Sequence, residues 1–401
     1  MAAAFLLLCM LAMAACTQTG FVAHDAPEDL NISWEDDGTP DSLETAVRHS
    51  IAYFRRLPPS HTVRFGKLAY TAEEMIRSHQ LFLQLRREAR VQDQFVRLLG
   101  ERFHLFESIS ENGNNLFTGY FEPVIQGRKK SEPGFRAPLY ELPRNLVTVE
   151  LSRFNTSLPR QTLVGRLAGR TVLPFYSRKE IQEKAVLEGV AEPLAYVNEI
   201  DLFFLQIQGS GIVRFLYGGE IRVNYAAGNG HPYRSIGAEL IRQEVLSAEE
   251  VTMQSIRAYL NANPESVRPL LNSNPSYTFF RQVENGPLGN IQVPLTPGRS
   301  LALDHRLLPK GALAYIETEA TLFGDSATRP FRRFMLVQDT GGVIRGHGRA
   351  DVFWGQGMKA EWAAGHMKHP GRLVLLVAKK AFLGNERSAS GTALPARTTP
   401  Q

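Results

Sequence analysis

Two aspartates, Asp339 and Asp351, stand twelve residues apart in Gln338-Asp-Thr-Gly-Gly-Val-Ile-Arg-Gly-His-Gly-Arg-Ala-Asp-Val-Phe-Trp-Gly-Gln-Gly357. Six glycines lie around them, and Val352, Phe353 and Trp354 follow the second. Glycine lets a backbone take positive φ or approach a ligand closely. A carboxyl beside such apolar side chains is expected to be partly desolvated. Desolvation raises its pKa, so that it can hold a proton near neutral pH and donate it. The pattern therefore predicts Asp351 as a candidate general acid. The competing reading is a glycine-rich loop whose aspartates only cap turns. Two carboxyls and an aromatic pair falling together weigh against it.

Other constellations are weaker. Asp339-Thr-Gly341 is the triplet of aspartic proteases, but those enzymes need two such triplets to share a proton. This chain has one, and only a homodimer would supply the second. His366 and His369 have the spacing of a metal pair on a helix, yet no carboxylate or cysteine ligand is evident nearby, so they read as surface histidines. Gly209-Ser210-Gly211 lacks the outer glycine pattern of a serine hydrolase elbow. Gln206 and Gln208 read as alternating along a strand, from which they would hydrogen-bond a hydroxyl-rich ligand. Tyr120, Phe121, Phe353 and Trp354 suit stacking on sugar rings, although isolated aromatics are usually core.

The elements that must position these residues change character along the chain. Its 401 residues predict about two domains. Residues 41–57 place Leu43, Val47, Ile51 and Phe54 on one helical face, with Pro58-Pro59 as the stop. Thr71-Ala-Glu-Glu74 is a capping box for a helix to about Arg87, and 91–99 continues helically. Ser177-Arg-Lys-Glu180 and Ser247-Ala-Glu-Glu250 cap two more, the second running to about Asn261. Gly218-Gly219 separates 212–216 from 220–225 as a hairpin turn. The run from Leu202 reads as a buried strand entering a Gly-Ser-Gly turn. After Pro275 helices stop, and short strands at 291–295, 301–303, 312–317, 334–338, 343–345, 351–354 and 373–377 predict a small barrel.

The first 47 residues stand apart. Residues 2–15 are apolar but too short to cross a bilayer core of roughly 30 Å, and fit a signal-peptide core over 1–15. The chain has two cysteines, Cys9 and Cys16. Cys16 follows small residues after the apolar run, as in a bacterial lipobox, with Met13 where leucine is usual. Cys16 is thus expected to be lipidated, and Thr17 after it is compatible with outer-membrane sorting. Residues 1–47 hold eight acids and no Lys or Arg; against an overall charge of +5, the remainder carries +13. An acidic, solvated tether is expected over 16–40. The basic body favours an anionic polymer. No nucleic-acid motif appears, and secretion argues against that partner; a bacterial wall with its peptide carboxylates is another.

Five motifs stand in order: Phe117-Thr-Gly-Tyr-Phe-Glu-Pro123, Leu202-Phe-Phe-Leu-Gln-Ile-Gln-Gly-Ser-Gly211, Tyr233-Arg-Ser-Ile-Gly237, Asn274-Pro-Ser-Tyr-Thr-Phe-Phe280 and 338–357. Together, over about residues 70–380, they resemble the membrane-bound lytic murein transglycosylase A family. The resemblance implies a mainly β fold with helical N-terminal elements. A double-psi β-barrel would be interrupted by an inserted smaller β-rich domain, with a groove between them. On this chain 41–124 would be the helical N-terminal part of the barrel domain, 125–274 the insert, 275–385 the catalytic part of the barrel and 386–401 a disordered tail.

The resemblance further implies a lyase-type peptidoglycan lytic exotransglycosylase. Such an enzyme cleaves the β-1,4 bond between N-acetylmuramic acid and N-acetylglucosamine without water, leaving 1,6-anhydromuramoyl ends. By motif the catalytic aspartate falls on Asp351, with Asp339 and Asp304 as supporting acids. Thr118, Tyr120, Gln208, Ser210 and Gly342 are the candidate substrate contacts. No metal or organic cofactor is required. The expected partners are peptidoglycan strands, a membrane through the lipid anchor, and other cell-wall enzymes, at the periplasmic face of the outer membrane. The alternatives are a non-catalytic peptidoglycan-binding barrel and an aspartic protease using Asp339-Thr-Gly.

Overall fold

A computed structural model describes residues 20–384 except 111, 112, 114, 326 and 343. Cys16, the signal peptide and the tail from 386 lie outside them. The first section of chain forms β1 (Gly20–His24), α1 (Pro40–Arg55), β2 (Thr62–Phe65), β3 (Leu68–Thr71), α2 (Ala72–Glu88), α3 (Gln92–Arg102), β4 (Phe103–Ile109) and β5 (Asn115–Glu122). A second unit follows: β6 (Val124–Arg128), β7 (Ala137–Tyr140), β8 (Leu146–Glu150), α4 (Leu151–Phe154), β9 (Thr162–Ala168), β10 (Thr171–Pro174), α5 (Arg178–Glu183), β11 (Pro193–Val197), α6 (Glu199–Gln208), β12 (Ser210–Phe215), β13 (Glu220–Gly228), α7 (Ile236–Arg242), α8 (Met253–Ala262), α9 (Pro264–Asn272) and β14 (Thr278–Val283). The chain then returns as β15 (Ser300–Ala302), β16 (Leu313–Ala320), β17 (Arg329–Asp339), β18 (Arg349–Gln356), α10 (Met358–His366) and β19 (Lys368–Ala378).

The fold is mainly β. Six strands close a barrel in the order β19-β16-β17-β15-β18-β5, with β5 pairing back onto β19, and β4 and β1 extend from β19. Closure leaves no edge in the ring. The second unit is built on a separate sheet, β14-β13-β12-β6-β11-β7, and a three-stranded sheet, β10-β9-β8. Its hairpin turns at Gly218-Gly219, where both residues take positive φ, as the sequence suggests. The barrel core buries Phe82, Phe95, Phe103, Phe117, Leu301, Phe334, Leu336, Val352 and Leu375 with the apolar faces of α1 and α2. Each such side chain contributes about 1.5–3 kcal/mol of transfer free energy. Helix α2 starts where the capping box places it: Thr71 Oγ1 accepts from Glu74 N (3.2 Å) and Glu74 Oε2 from Thr71 N (2.7 Å).

Several expectations need correction. The expected tether is folded onto the barrel from Gly20. β1 pairs with β4, and Leu30 and Trp34 are buried. Three of its acids have arginine partners some 300 residues away. Asp36 meets the side chain of Arg299 twice at 2.7 Å, Glu35 meets Arg332 at 2.7 Å, and Asp37 meets Arg333. A local count of acids and prolines cannot see such partners.

The run from Leu202 is not a strand but the body of α6. Asn198 Oδ1 caps it, and Gly209 ends it in a left-handed turn. Ile200 and the whole run Leu202–Gln206 are buried, so no regular polar face marks the helical period. The Ser247–Glu250 pair makes only a local turn, and α8 begins later, capped by Thr252. Segment 291–295 is not a strand, nor are Ile344 and Arg345 of the 343–345 segment, whose first residue lies outside the described residues, and α10 interrupts the β section. That helix buries only alanines, which carry little periodic signal.

Candidate functional site

Strand β15 is the hinge of the arrangement. It lies between β17 and β18, and Ala302 is the partner of Asp339 on one side and of Asp351 on the other. Across the next pairing, Asp351 faces Thr118 of β5. The row Asp339–Ala302–Asp351–Thr118 therefore runs over four neighbouring strands. At about 4.8 Å per strand, the two aspartate backbones are about 10 Å apart. A register shift between β15 and β17 makes this possible. Leu301 opposes Val337, but Ala302 opposes Asp339 rather than Gln338. A bulge of this kind re-aims side chains. Gln338 turns into the interior, where its Nε2 donates to Ala46 O (2.8 Å) and Ser50 Oγ (3.1 Å), and its Oε1 accepts from Ser300 Oγ (2.6 Å).

Asp351 is 18% exposed. Thr118 Oγ1 donates to its Oδ1, and so does Arg349 Nε at 3.3 Å; Arg349 Nη2 also donates to Thr118 Oγ1 at 3.1 Å. Among the described residues no protein donor reaches Oδ2, so that oxygen is the one open to a ligand. Asp339 is held differently. Tyr120 Oη donates to its Oδ2 (2.8 Å) and Asn290 N to its Oδ1 (2.9 Å). Burial raises the Asp339 carboxyl to about 6, against hydrogen bonds from Thr340, Tyr120 and Asn290 that lower it; the nearby Asp351 charge adds to the rise. Desolvation of the kind expected at Asp351 thus acts on its neighbour. Burial, followed by the Asp339 charge, pushes the Tyr120 phenol well above its ordinary value.

Asp304, just past β15, is almost wholly buried. Arg306 grips it through Nε (2.8 Å) and Nη2 (2.6 Å), and Gly346 N donates to it at 3.0 Å. The Arg306 side chain holds the Asp304 carboxyl well below the usual carboxylate range, with the Gly346 and Arg306 amides adding to this. Its geometry suits anchoring the backbone at Gly346 rather than proton transfer.

The remaining candidates divide. Gln208 closes α6, and its Oε1 accepts from Phe121 N at 3.0 Å, so it ties the second unit to β5. Gln206 donates to Thr278 O, in the same unit, rather than alternating with Gln208 along a strand. Ser210 is buried in β12, opposite Asn224. Gly342 lies exposed in the loop between β17 and β18. Phe121 and Phe353 are core residues, and the Tyr120 ring packs on Phe353 at 5.3 Å, in line with the core reading of these aromatics. His366 ends α10 with Nδ1 on Trp362 O (2.8 Å), while His369 lies on β19; no metal-holding cluster occurs among the described residues.

The second unit contacts this side of the barrel through Gln208 and through Arg222, which meets Glu122 with one contact at 2.7 Å. A cavity of about 620 Å³ in that unit, lined by Tyr140, Ile181, Leu202 and Arg268, does not include Asp351.

Sequence reasoning missed Arg349 and Asn290. Arg349 had a usable signal, since it lies two residues before Asp351 and so shares its strand face. Asn290 had none.

Two family descriptions match in the order the fold requires: "MltA specific insert domain" over residues 116–281 and "3D domain" over 299–377. The membrane-bound lytic murein transglycosylase A of Escherichia coli (strain K12) is 34% identical over 275 residues, 67% of this chain and 67% of that protein. The Vibrio cholerae protein of the same name is 33% identical over 274 residues, 66% of this chain and 65% of that protein. The chain thus spans about two thirds of the length of these curated relatives. A membrane-bound lytic murein transglycosylase from Agrobacterium tumefaciens superimposes with a TM-score of 0.74 at 28% identity, covering 90% of this chain and 98% of that one. E. coli MltA with bound chitohexaose gives 0.67 at 26% identity, covering 90% and 95%. With Asp339 and Asp351 on the barrel strands either side of β15 and these matches along most of its length, the chain belongs to the membrane-bound lytic murein transglycosylase A family.

Proposed function

We propose that this protein is a lytic transglycosylase that cleaves the MurNAc-β-1,4-GlcNAc bond of peptidoglycan and leaves a 1,6-anhydromuramoyl end. The observation that carries the reading is the Asp351 carboxyl. Its Oδ1 is fixed by Thr118 and Arg349, and its Oδ2 is open to a ligand. Protonated at Oδ2, Asp351 gives its proton to the glycosidic oxygen as the bond from that oxygen to the muramoyl C1 breaks. The carboxylate then takes the proton of the muramoyl C6 hydroxyl, whose oxygen forms the new bond to C1. The nucleophile is already part of the same sugar, so no water has to be positioned. Ordinary glycosidases instead use two carboxyls, with water entering opposite the leaving group or after a covalent intermediate. Asp339, two strands away and fixed by Tyr120 and Asn290, supports the site and is the one group whose placement favours a hydrolytic second reading.

The relatives' names and the chitohexaose bound to the E. coli protein support a glycan strand as substrate. Attachment to the periplasmic face of the outer membrane through lipidated Cys16 belongs to the same proposal. The test is product analysis by mass spectrometry after incubation with purified sacculi. Anhydro ends are expected from the parent, and none from Asp351→Asn, with the fold unchanged. Hydrated reducing ends would instead make the protein a hydrolase. Parent-like turnover by the variant would remove Asp351 from the mechanism.

A further inference from the structure

The three-stranded sheet of the second unit has one packed face and one open face. In an antiparallel ladder, partners share a face. On the packed side, Val164 lies so close to Gly230 that a Cβ there would meet it at 2.7 Å, and the Arg166 guanidinium sits 4.4 Å over the Tyr176 ring. On the other side, Leu163 is paired with Val149, Leu167 with Val172, and Gly165 with Val147 and Pro174. Leu163, Leu167 and Val172 are 45%, 52% and 48% exposed, and Phe154, which ends α4 between β8 and β9, is 75% exposed. A contiguous aliphatic face left open in this way marks an interaction surface.

Its surroundings are cationic. Residues 144–174 contain five arginines, one glutamate and no lysine, a net charge of +4. Arg144 and Arg170 lie at one end of the sheet, before β8 and in the β9–β10 turn; Arg153 and Arg160 lie at the other, in the β8–β9 connection. The one acid, Glu150, is paired with Arg153 at 2.6 Å.

We propose that this open sheet face rests on an anionic phospholipid layer, with its aliphatic side chains in the headgroup boundary and its terminal arginines among the phosphates. An apolar face ringed by positive charge is the chemistry that binds such a layer, through apolar burial plus attraction to anionic lipid. A sugar chain is a poor match, because the face offers aliphatic carbon and no hydrogen-bonding side chain. No described helix is long and apolar enough to cross a membrane, so the contact is peripheral. It does not depend on the cleavage reaction, which other residues perform.

The test uses the full chain carrying Cys16→Ser, so that an acyl chain does not mask the contact. Vesicles are pure phosphatidylcholine or equal parts phosphatidylcholine and phosphatidylglycerol, and binding is read by sedimentation. Tighter binding to the mixed vesicles, weakened by salt, is expected. The triple variant R153Q/R160Q/R170Q should bind them on the order of 100-fold more weakly, and L163S/L167S on the order of tenfold. The triple Arg→Lys variant should bind as the parent does. Equal binding of the parent to both vesicle types overturns the proposal, as does undiminished binding by the glutamine or the serine variant. Because these side chains lie away from Asp351, both variants should release anhydro products at the parent rate, so a failure here and a failure of the transglycosylase reading remain distinct.

Discussion

Removing the carboxylate of Asp36 tests whether the acidic segment is a structural part of the barrel. Arg299 is fully buried, and Asp36 is 2% exposed. The carboxylate takes two 2.7 Å hydrogen bonds from the guanidinium and one from Phe334 N at 3.0 Å. In Asp36→Ala, Arg299 keeps Ser42 Oγ, Thr39 O and Phe334 O as acceptors but loses its only paired charge in this site. An unpaired buried charge costs about 3–5 kcal/mol. With a urea slope of about 1–3 kcal/mol per molar, the midpoint should fall by about 2 M. The buried Trp34, packed against Tyr315 at 4.9 Å, reports the change locally by fluorescence. A local probe matters because a chain of two units need not unfold in one step. The double variant Asp36→Leu with Arg299→Met should recover most of the loss, since an apolar pair of similar volume removes the stranded charge. A loss below about 1 kcal/mol in Asp36→Ala would refute the claim that this segment clamps the start of β15.

Two further outcomes concern the other acids. Asp339 has a carboxyl raised to about 6, so between the unfolded carboxylate value and that pH the folded state binds more protons. Stability should therefore fall as pH rises through this window, by up to about 3 kcal/mol, and level off above it; urea titrations of the parent against Asp339→Asn isolate this term, and an identical pH dependence in both would disprove it. Asp304 is shifted the opposite way by Arg306 and Gly346. Its contribution is present above the unfolded carboxylate value and lost as pH falls through its lower folded value. Asp304→Asn should cost about 2 kcal/mol at neutral pH, with the difference narrowing in acid; a constant difference at all pH values would contradict the assignment.

Local signals were legible where neighbours in sequence are neighbours in space. The Thr71 and Ser177 capping boxes, the Gly218-Gly219 hairpin and the apolar face of α1 are all visible in the sequence, because each depends on residues within one or two turns. The aspartate pair was visible as chemistry, but the bulge that brings both acids beside Ala302 was not, since it depends on how β15 registers with β17. The acidic N-terminal stretch resembles a tether for the same reason: Asp36, Asp37 and Glu35 look solvating until Arg299, Arg333 and Arg332 are in place. Helix α6 carries no clear amphipathic period, because five consecutive residues, Leu202–Gln206, are buried. Gln208 was noticed for its polarity, and the structure gives that polarity to a backbone amide of β5.

The pairing of β5 with β18 joins residues made early to residues made near the end: Thr118 and Asp351 are 233 positions apart. A chain leaves the ribosome at about 5–20 residues per second, N-terminus first. No length of chain ending before Asp351 contains the site, and the ring closes only once β19 can bond to both β16 and β5. The site is therefore incomplete throughout most of the chain's synthesis. Thr118 and Asp351 are brought into one ring only when the last strand is in place.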